Sequence, residues 1–422
     1  MPQYLSPGVY VEEVPSAVKA IAGVSTSTPG FIGVIADKIT LVAKDPNTAP
    51  TTDNPSPTKY VDFPLPVPAK IPKLITNWTQ FIKLFGDLVG DETAPAGAGT
   101  AIDEHHRNLA HAVYGFFNNG GSRCFVVRIT DPNDLDDALK AFAAIDEIAL
   151  VAMPGNTDDA VRTAIVAHCE NVANRFAILD GPASSTDLTE LTAIPAATPP
   201  GVAPKNTNFA AWYFPWIKVF DPSTKLLTPS GDGTVAVPPS GHLAGIYARV
   251  DNERGVHKAP ANEAIRGALD VTQPLAKADQ DGLNPKGVNC IRVLNGNIFA
   301  WGARTVGGDA NADLKYINVR RTLLFLRKSI DEGTQWVVFE PNSPALWQKI
   351  TRNVTAFLTN VWRSGALFGT TQQEAFYVKC DAETNPPELR ELGQVVTEIG
   401  VAIVRPAEFV IFRISQFTAP SK

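Results

Sequence analysis

The sequence predicts a multi-domain α/β protein, and three observations carry that reading. Short apolar runs alternate with helical stretches between residues 101 and 180, two long one-faced helices occupy the last third, and each end of the chain reads as a strand lacking a partner in its own domain. With 422 residues, 44% hydrophobic and 19% charged, the chain has length for two or three domains and a large core, which excludes a disordered tail protein. Its 34 prolines exceed the ~5% usual in soluble proteins, so long stiff connections are expected.

Taken in order, residues 7–14 (Pro-Gly-Val-Tyr-Val-Glu-Glu-Val) alternate apolar and polar after a Pro-Gly turn, the period of a strand. Residues 31–35 form a second short strand, and 44–73, rich in Pro, Thr, Asp and Asn, read as an exposed extended connection. Trp78, Phe81, Ile82 and Phe85 have helical spacing, with Gly86 as the stop. A helix then ends near Asn118–Gly121, followed by strands at 124–129, 148–153 and 175–180 that alternate with helices at 134–144 and 158–172. Runs apolar on both faces and separated by helices indicate a parallel sheet with right-handed crossovers. A loop covers 182–207, a strand 210–219, and 220–300 reads as a patchwork of turns.

In the last third, Tyr316, Val319, Leu323, Leu326 and Ile330 share one helical stripe, and 336–339 reads as a strand. Ser343 is an N-cap before Pro344, and Leu346, Ile350, Val354, Phe357 and Val361 form one apolar face. A helix at 388–399 stops at Gly400, and 408–417 closes the chain as a β-branched, aromatic strand. Strands without a partner in their own domain tend to pair with another chain.

The chemistry-bearing residues give no enzyme signature. P-loop, Gly-x-Gly-x-x-Gly, Gly-x-Ser-x-Gly and His-Glu-x-x-His patterns are absent. Asp131 and Asp180 fall at strand carboxyl ends, where a doubly wound sheet binds ligands, but aspartate there serves more often as a cap or turn residue. Glu104, His105, His106 and His111 lack a shared face for a metal, and Arg254, His257 and Lys258 sit in a turn-forming context. Cys124, Cys169, Cys290 and Cys380 lie far apart and read as buried free thiols. No cofactor is expected. The opening Met1–Leu5 lacks a basic or apolar leader pattern and no run reaches membrane-span length, so a chain made and folded in the cytoplasm is expected, without direct membrane insertion.

Net charge is -6, which argues against a nucleic-acid partner, but the mean conceals a partition. Residues 130–200 hold twelve Asp or Glu against three Lys or Arg, whereas 315–363 hold eight Lys or Arg against three acids. Lys349, Arg352 and Arg363 lie opposite the apolar stripe of their helix; Arg320 and Arg327, like Arg321 and Lys328, are seven residues apart and align. Such faces are either solvated or docked on an acidic partner.

Several motifs together resemble the contractile tail sheath proteins of myophages and phage-tail-like injection systems. They are Ser6-Pro-Gly-Val-Tyr-Val-Glu-Glu13, Gly23 to Gly33, Tyr114-Gly-Phe-Phe-Asn-Asn-Gly-Gly121 before a Cys-Phe-Val-Val-Arg strand, Pro239 to Asn262, Leu294 to Val306 with Trp301-Gly-Ala-Arg-Thr305, and Tyr316 to Phe368. The resemblance covers most of the chain, least at 40–75 and 183–235.

It implies a structural role, not an enzyme: hexameric rings stacked around an inner tube, with neighbours joined by exchanged strands, here Val9, Tyr10, Val11 and Glu12 at one end and Phe409, Val410, Ile411, Phe412 and Ile414 at the other. It further implies an arm over 1–20, an N-terminal sheath domain over 21–95, and an outward, subtilisin-like but non-catalytic doubly wound domain over 96–300. An α+β tube-facing domain over 301–406 and a C-terminal arm over 407–422 complete the order. The tube contact falls to a helix, for which Lys349, Arg352, Arg363, Arg320 and Arg327 are the candidates. Partners on this reading are the chain itself, the tube protein, baseplate and terminal cap proteins, and sheath paralogues, in a tail or tail-like particle that is in some cases released from the cell. The rival readings are a hydrolase or ligand-binding enzyme on the α/β domain, and a non-contractile tube or capsid subunit.

Overall fold

A strand covered on both faces needs apolar side chains of both parities, and the runs at 29–34, 124–129, 150–152, 176–180 and 210–214 supply them. In the computed structural model, which describes residues 20–51, 56–198 and 200–412, these runs form the middle of a nine-stranded sheet. Its order is Glu263–Ala264, Asn297–Ala300, Val288–Leu294, Ala210–Phe214, Phe176–Asp180, Leu150–Ala152, Pro29–Val34, Cys124–Ile129 and Lys73–Ile75. The six strands from Val288–Leu294 to Cys124–Ile129 are parallel, and antiparallel strands close both flanks.

Alternate residues of each strand enter opposite cores. Phe31, Val126, Leu150 and Ile178 join one, with Leu109, Phe116, Leu243 and Tyr247 of the helices Glu104–Asn118 and Ser240–Arg254. Ile32, Val127, Val151 and Ala177 join the other, with Leu139, Phe142, Ile165 and Cys169 of the helices Leu135–Ala143 and Asp159–Val172. The doubly wound pattern expected from the sequence is therefore present, and all four cysteines are buried and free.

The chain divides into two compact units. Among the described residues, the larger comprises 24–327 and 403–412 and holds the sheet; the smaller comprises 20–23 and 328–402. The division falls inside the helix Ile317–Thr334. In the smaller unit Ser343 caps the helix Pro344–Arg363 as expected, accepting from Leu346 N, and Leu346, Ile350, Val354, Phe357 and Val361 are buried. A two-stranded sheet pairs Phe376–Lys379 with Glu398–Val401.

Five sequence expectations are corrected. Within 44–73, Thr58–Pro64 is a strand that pairs with Lys38–Lys44; only Val61 on it is buried, so it writes no apolar run, and its flanks are polar and proline-rich. The 210–219 run splits at Pro215, which has no N–H to give a ladder, so Ile217–Phe220 joins a separate three-stranded sheet with Thr234–Val237 and Ala268–Val271.

The 220–300 patchwork contains the fifteen-residue helix Ser240–Arg254. That helix is buried nearly all round, so no stripe marks it, and its glycines face another backbone: a Cβ on Gly241 would lie 2.3 Å from Ala112 Cα, and one on Gly245 2.5 Å from Phe116 O. Residues 336–339 form no strand, because Gln335–Val337 is a 3-10 turn and Phe339, at φ 68°, leaves extended geometry. The 388–399 helix ends at Glu391, and Gly400 lies in a strand beneath the Tyr377 ring.

Two buried histidines give the larger unit a pH dependence. Burial holds His106 at about 4 and His242 at about 3, against an ordinary 6.5, so each stays neutral in the folded chain. A folded-state pKa below the unfolded one gives stability that is present above pH 6.5 and lost as pH falls towards 4, by up to about 1.4 kcal/mol per unit for each group. Asp180 partly opposes this, because burial raises it to about 6 and its contribution fades as pH rises through that value. Unfolding midpoints measured from pH 7.5 to 5 should therefore fall with acid, and the fall should be shallower in His242→Gln.

Candidate assembly surfaces

The amphipathic period of the Pro344–Arg363 helix buries one face and leaves Lys349, Arg352 and Arg363 exposed on the other, with no acidic residue on the helix. None of the three forms a salt bridge to a described residue, so this face is an unneutralised basic strip. The preceding helix behaves differently. Arg327 is exposed, but Arg320 is half-buried with its guanidinium 3.6 Å from the Phe209 ring centroid. Burial, reinforced by Arg327, lowers Arg320 to about 10. Arg321 is buried in a two-pronged pair with Asp251, at 2.9 and 2.5 Å, and Lys328 is buried as well. The aligned arginines of this helix thus do not present one continuous basic face.

The Arg321–Asp251 pair also holds the chain near its beginning. Thr26 Oγ1 donates to Asp251 at 2.5 Å and Arg321 donates to the Thr26 carbonyl at 2.9 Å. Val9, Tyr10, Val11 and Glu12 lie outside the described residues, as does Ile414.

At the other end, Glu408 is fixed by four hydrogen bonds. Arg304 donates to each of its carboxylate oxygens at 2.8 Å, Asn284 donates at 2.8 Å, and Tyr316 donates through its hydroxyl at 3.0 Å. Burial alone would raise the Glu408 pKa, but these bonds and the Arg304 charge outweigh it and bring the carboxyl below its ordinary range. Immediately beyond, Phe409, Val410, Ile411 and Phe412 are 68–83% exposed and form no strand with the described residues. Four consecutive large apolar side chains in water are an unsatisfied surface.

Sheet edges differ across the molecule. The Lys38–Lys44 and Thr58–Pro64 hairpin is covered along both sides, because Gly90 and Asp103 donate to Val42 and Thr40, and Gly97 donates to Tyr60. The Phe376–Lys379 and Glu398–Val401 pair has no such cover: neither outer edge exchanges a backbone hydrogen bond with another described strand.

The residues weighed for catalysis have structural duties. Asp131 accepts from Asn133 N at 2.8 Å in a turn. Asp180, fully buried, accepts from Gly155 N at 3.0 Å and from Ser240 N and Oγ at 2.9 and 2.7 Å, holding the N-terminus of the Ser240–Arg254 helix on the sheet. Lys258 donates to the carbonyls of Ala259 and Ala261, which closes a turn. Among the described residues, no group of three His, Cys, Asp or Glu side chains could hold a metal, and no helix is long and apolar enough to cross a membrane. The partnering of Asp180 with Ser240 could not be foreseen, since sixty residues separate them.

A rigid α/β body, an open-edged small sheet and an apolar segment leaving a fixed root define a structural subunit made to join with other chains. Comparison with known proteins agrees. Residues 131–306 match the phage tail sheath protein central domain and residues 309–417 the phage tail sheath C-terminal domain, together about two thirds of the chain. The chain belongs to the phage tail sheath protein family.

A prophage major tail sheath protein of Pseudomonas aeruginosa (strain UCBPP-PA14) is 26% identical over 322 residues, 75% of each chain. A chain in the sheath complex of the extracellular contractile injection system PVC, in its contracted state, superposes at TM-score 0.72 with 25% identity over 99% of both chains. One in the baseplate of the anti-feeding prophage superposes at 0.68 with 26% identity, covering 98% of this chain and 100% of that one. The match to the tail sheath protein of Vibrio phage KVP40 spans only 27% of that protein's length. The protein is thus a structural sheath subunit of a contractile tail or tail-like particle, and its relatives are structural proteins, not enzymes.

Asp180 tests the structural assignment of the strand-end carboxylate. Asp180→Ala leaves three donors, two of them on buried Ser240, without an acceptor and should lower the stability of the larger unit by about 2–3 kcal/mol, read by urea unfolding.

Proposed function

We propose that this subunit polymerises as stacked hexameric rings around an inner tube, and that contraction of the stack drives the tube through a target envelope. Two observations carry this reading: an apolar C-terminal segment that forms no strand among the described residues, and, separately, a small sheet neither of whose outer edges bonds to another described strand. Two edges can accept two strands, one from each arm of neighbouring copies, so the Phe376–Lys379 and Glu398–Val401 pair becomes the centre of a four-stranded sheet shared between subunits. Val9–Glu12 and Phe409–Ile414 are the donor strands. Main-chain hydrogen bonds tie the subunits while the bodies turn as rigid units, so rotation of one ring passes to the next.

The basic strip at Lys349, Arg352 and Arg363, with Arg327, faces the tube on this reading, and Arg320 contributes by steadying the helix against Phe209. Exposed ion pairs are worth ~0–1 kcal/mol each and are screened by salt, so such a contact positions the subunit during assembly and yields in sequence on contraction. The acidic 130–200 region lies outward, away from the tube. The extended stack is a metastable store, released at the baseplate, and the contracted lattice buries more surface.

Electron microscopy of the purified chain should show ring-stacked tubes. Removal of residues 1–20, or of the residues after Glu408, should leave a folded monomer by circular dichroism and no polymer; polymers unaltered in both variants would sink the strand-exchange reading. Replacing Lys349, Arg352 and Arg363 together by glutamine should leave self-assembly intact and weaken co-sedimentation with the tube protein, with a smaller salt dependence than the parent chain.

A further inference from the structure

We propose that Glu408 is the anchor at which the C-terminal arm is fixed to its own subunit, seated in a socket built by Arg304, the arginine of the Trp301–Thr305 motif. This rests on the sheath reading above, and it gives that motif a task which the fold alone does not.

The socket is held by bonds that do not involve the arm. Arg304 is buried, and its backbone N–H donates to Asn289 Oδ1 at 2.7 Å. Asn289, fully buried on the Val288–Leu294 strand, donates in return to the carbonyls of Arg304 and of Trp212 on the adjoining strand, at 2.8 and 3.2 Å. The guanidinium is also aimed by Asp309 at 3.0 Å and the Asn284 carbonyl at 3.2 Å. A pull on Glu408 therefore passes through Arg304 and Asn289 into two neighbouring parallel strands of the central sheet.

The grip itself saturates the carboxylate. Two parallel N–H···O bonds from one planar guanidinium fix direction as well as distance, and Asn284 and Tyr316 fill the remaining acceptor positions. The approach is stitched too, with Asn318 donating to the Val404 carbonyl at 3.2 Å and Arg405 donating to Asp313 at 2.5 Å. The change at Glu408 is abrupt: its side chain is 19% exposed, whereas Phe409, the next residue, is 70% exposed. The arm thus begins one residue beyond the socket. A strand inserted in a neighbour transmits rotation only if its root does not yield first, and the socket supplies a root of defined position and direction.

The test uses the full chain with Glu408→Gln, which keeps the shape and removes the charge. In unpolymerised protein, amides of residues 403–408 should exchange at least tenfold faster, while the melting temperature of the body stays at the parent value. Tube formation should then need at least a tenfold higher protein concentration. Parent-like exchange together with a parent-like threshold would overturn the proposal. So would a lowered melting temperature with arm exchange unchanged, which would make Glu408 a packing residue of the body.

If Glu408→Gln does not fold, Tyr316→Phe removes one of the four bonds and should move both readouts in the same direction by about threefold; no movement counts against the anchor. Should the parent chain itself form no tubes, the sheath reading falls, and exchange at 403–408 still decides the anchor.

Discussion

A strand edge carries a row of backbone donors and acceptors that must be paired, covered or left open to another chain, and each solution occurs in this molecule. The nine-stranded sheet closes its parallel middle with short antiparallel strands, ending in Glu263–Ala264 and Lys73–Ile75. The hairpin at 38–44 and 58–64 is covered on both sides by the segment 86–103. Among the described residues, the pair at 376–379 and 398–401 has two strands and no backbone hydrogen bond from either outer edge to another described strand. A two-stranded sheet is marginal by itself, so this one leans on its own unit and gains most from added strands. On the proposed strand exchange, polymer formation completes a secondary structure begun within each subunit.

The larger unit is densely packed. Its parallel strands are buried on both faces, and the Ser240–Arg254 helix meets the Glu104–Asn118 helix backbone to backbone through Gly241 and Gly245. Buried polar groups are spent on fastening distant segments: Asp180 holds a helix sixty residues away, and Asp251 with Arg321 holds Thr26. Interiors packed in this way pass on displacement without absorbing it, as the proposed ring rotation would require.

The alternating strands and helices from 104 to 180 were legible because burial on two faces writes a continuous apolar run, and the Pro344–Arg363 helix because its cap and stripe are both local signals. The Ser240–Arg254 helix was illegible for the converse reason: surrounded by protein, it has no polar face to set a period. Residues 388–399 misled because spacing compatible with a helix says nothing of the partner strand at 376–379. In the candidate surfaces, exposure of Lys349, Arg352 and Arg363 followed from opposition to the apolar stripe. Arg320 and Arg321 share the charge and period of a solvated face, yet Phe209 and Asp251 claim them from elsewhere in the chain. Likewise Glu408 and Arg304 are 104 residues apart, and no local pattern links them.

The run Phe409-Val-Ile-Phe412 has a further consequence for the free subunit. A short, uncharged, β-prone segment in water is the composition from which unordered aggregates nucleate. The sequence brackets it with Glu408 on one side and Arg413 on the other, charges placed where gatekeepers stand beside an obligatory hydrophobic strand. Glu408 is already committed to Arg304. On the proposed strand exchange, a growing sheath end would therefore compete with self-association for each free subunit.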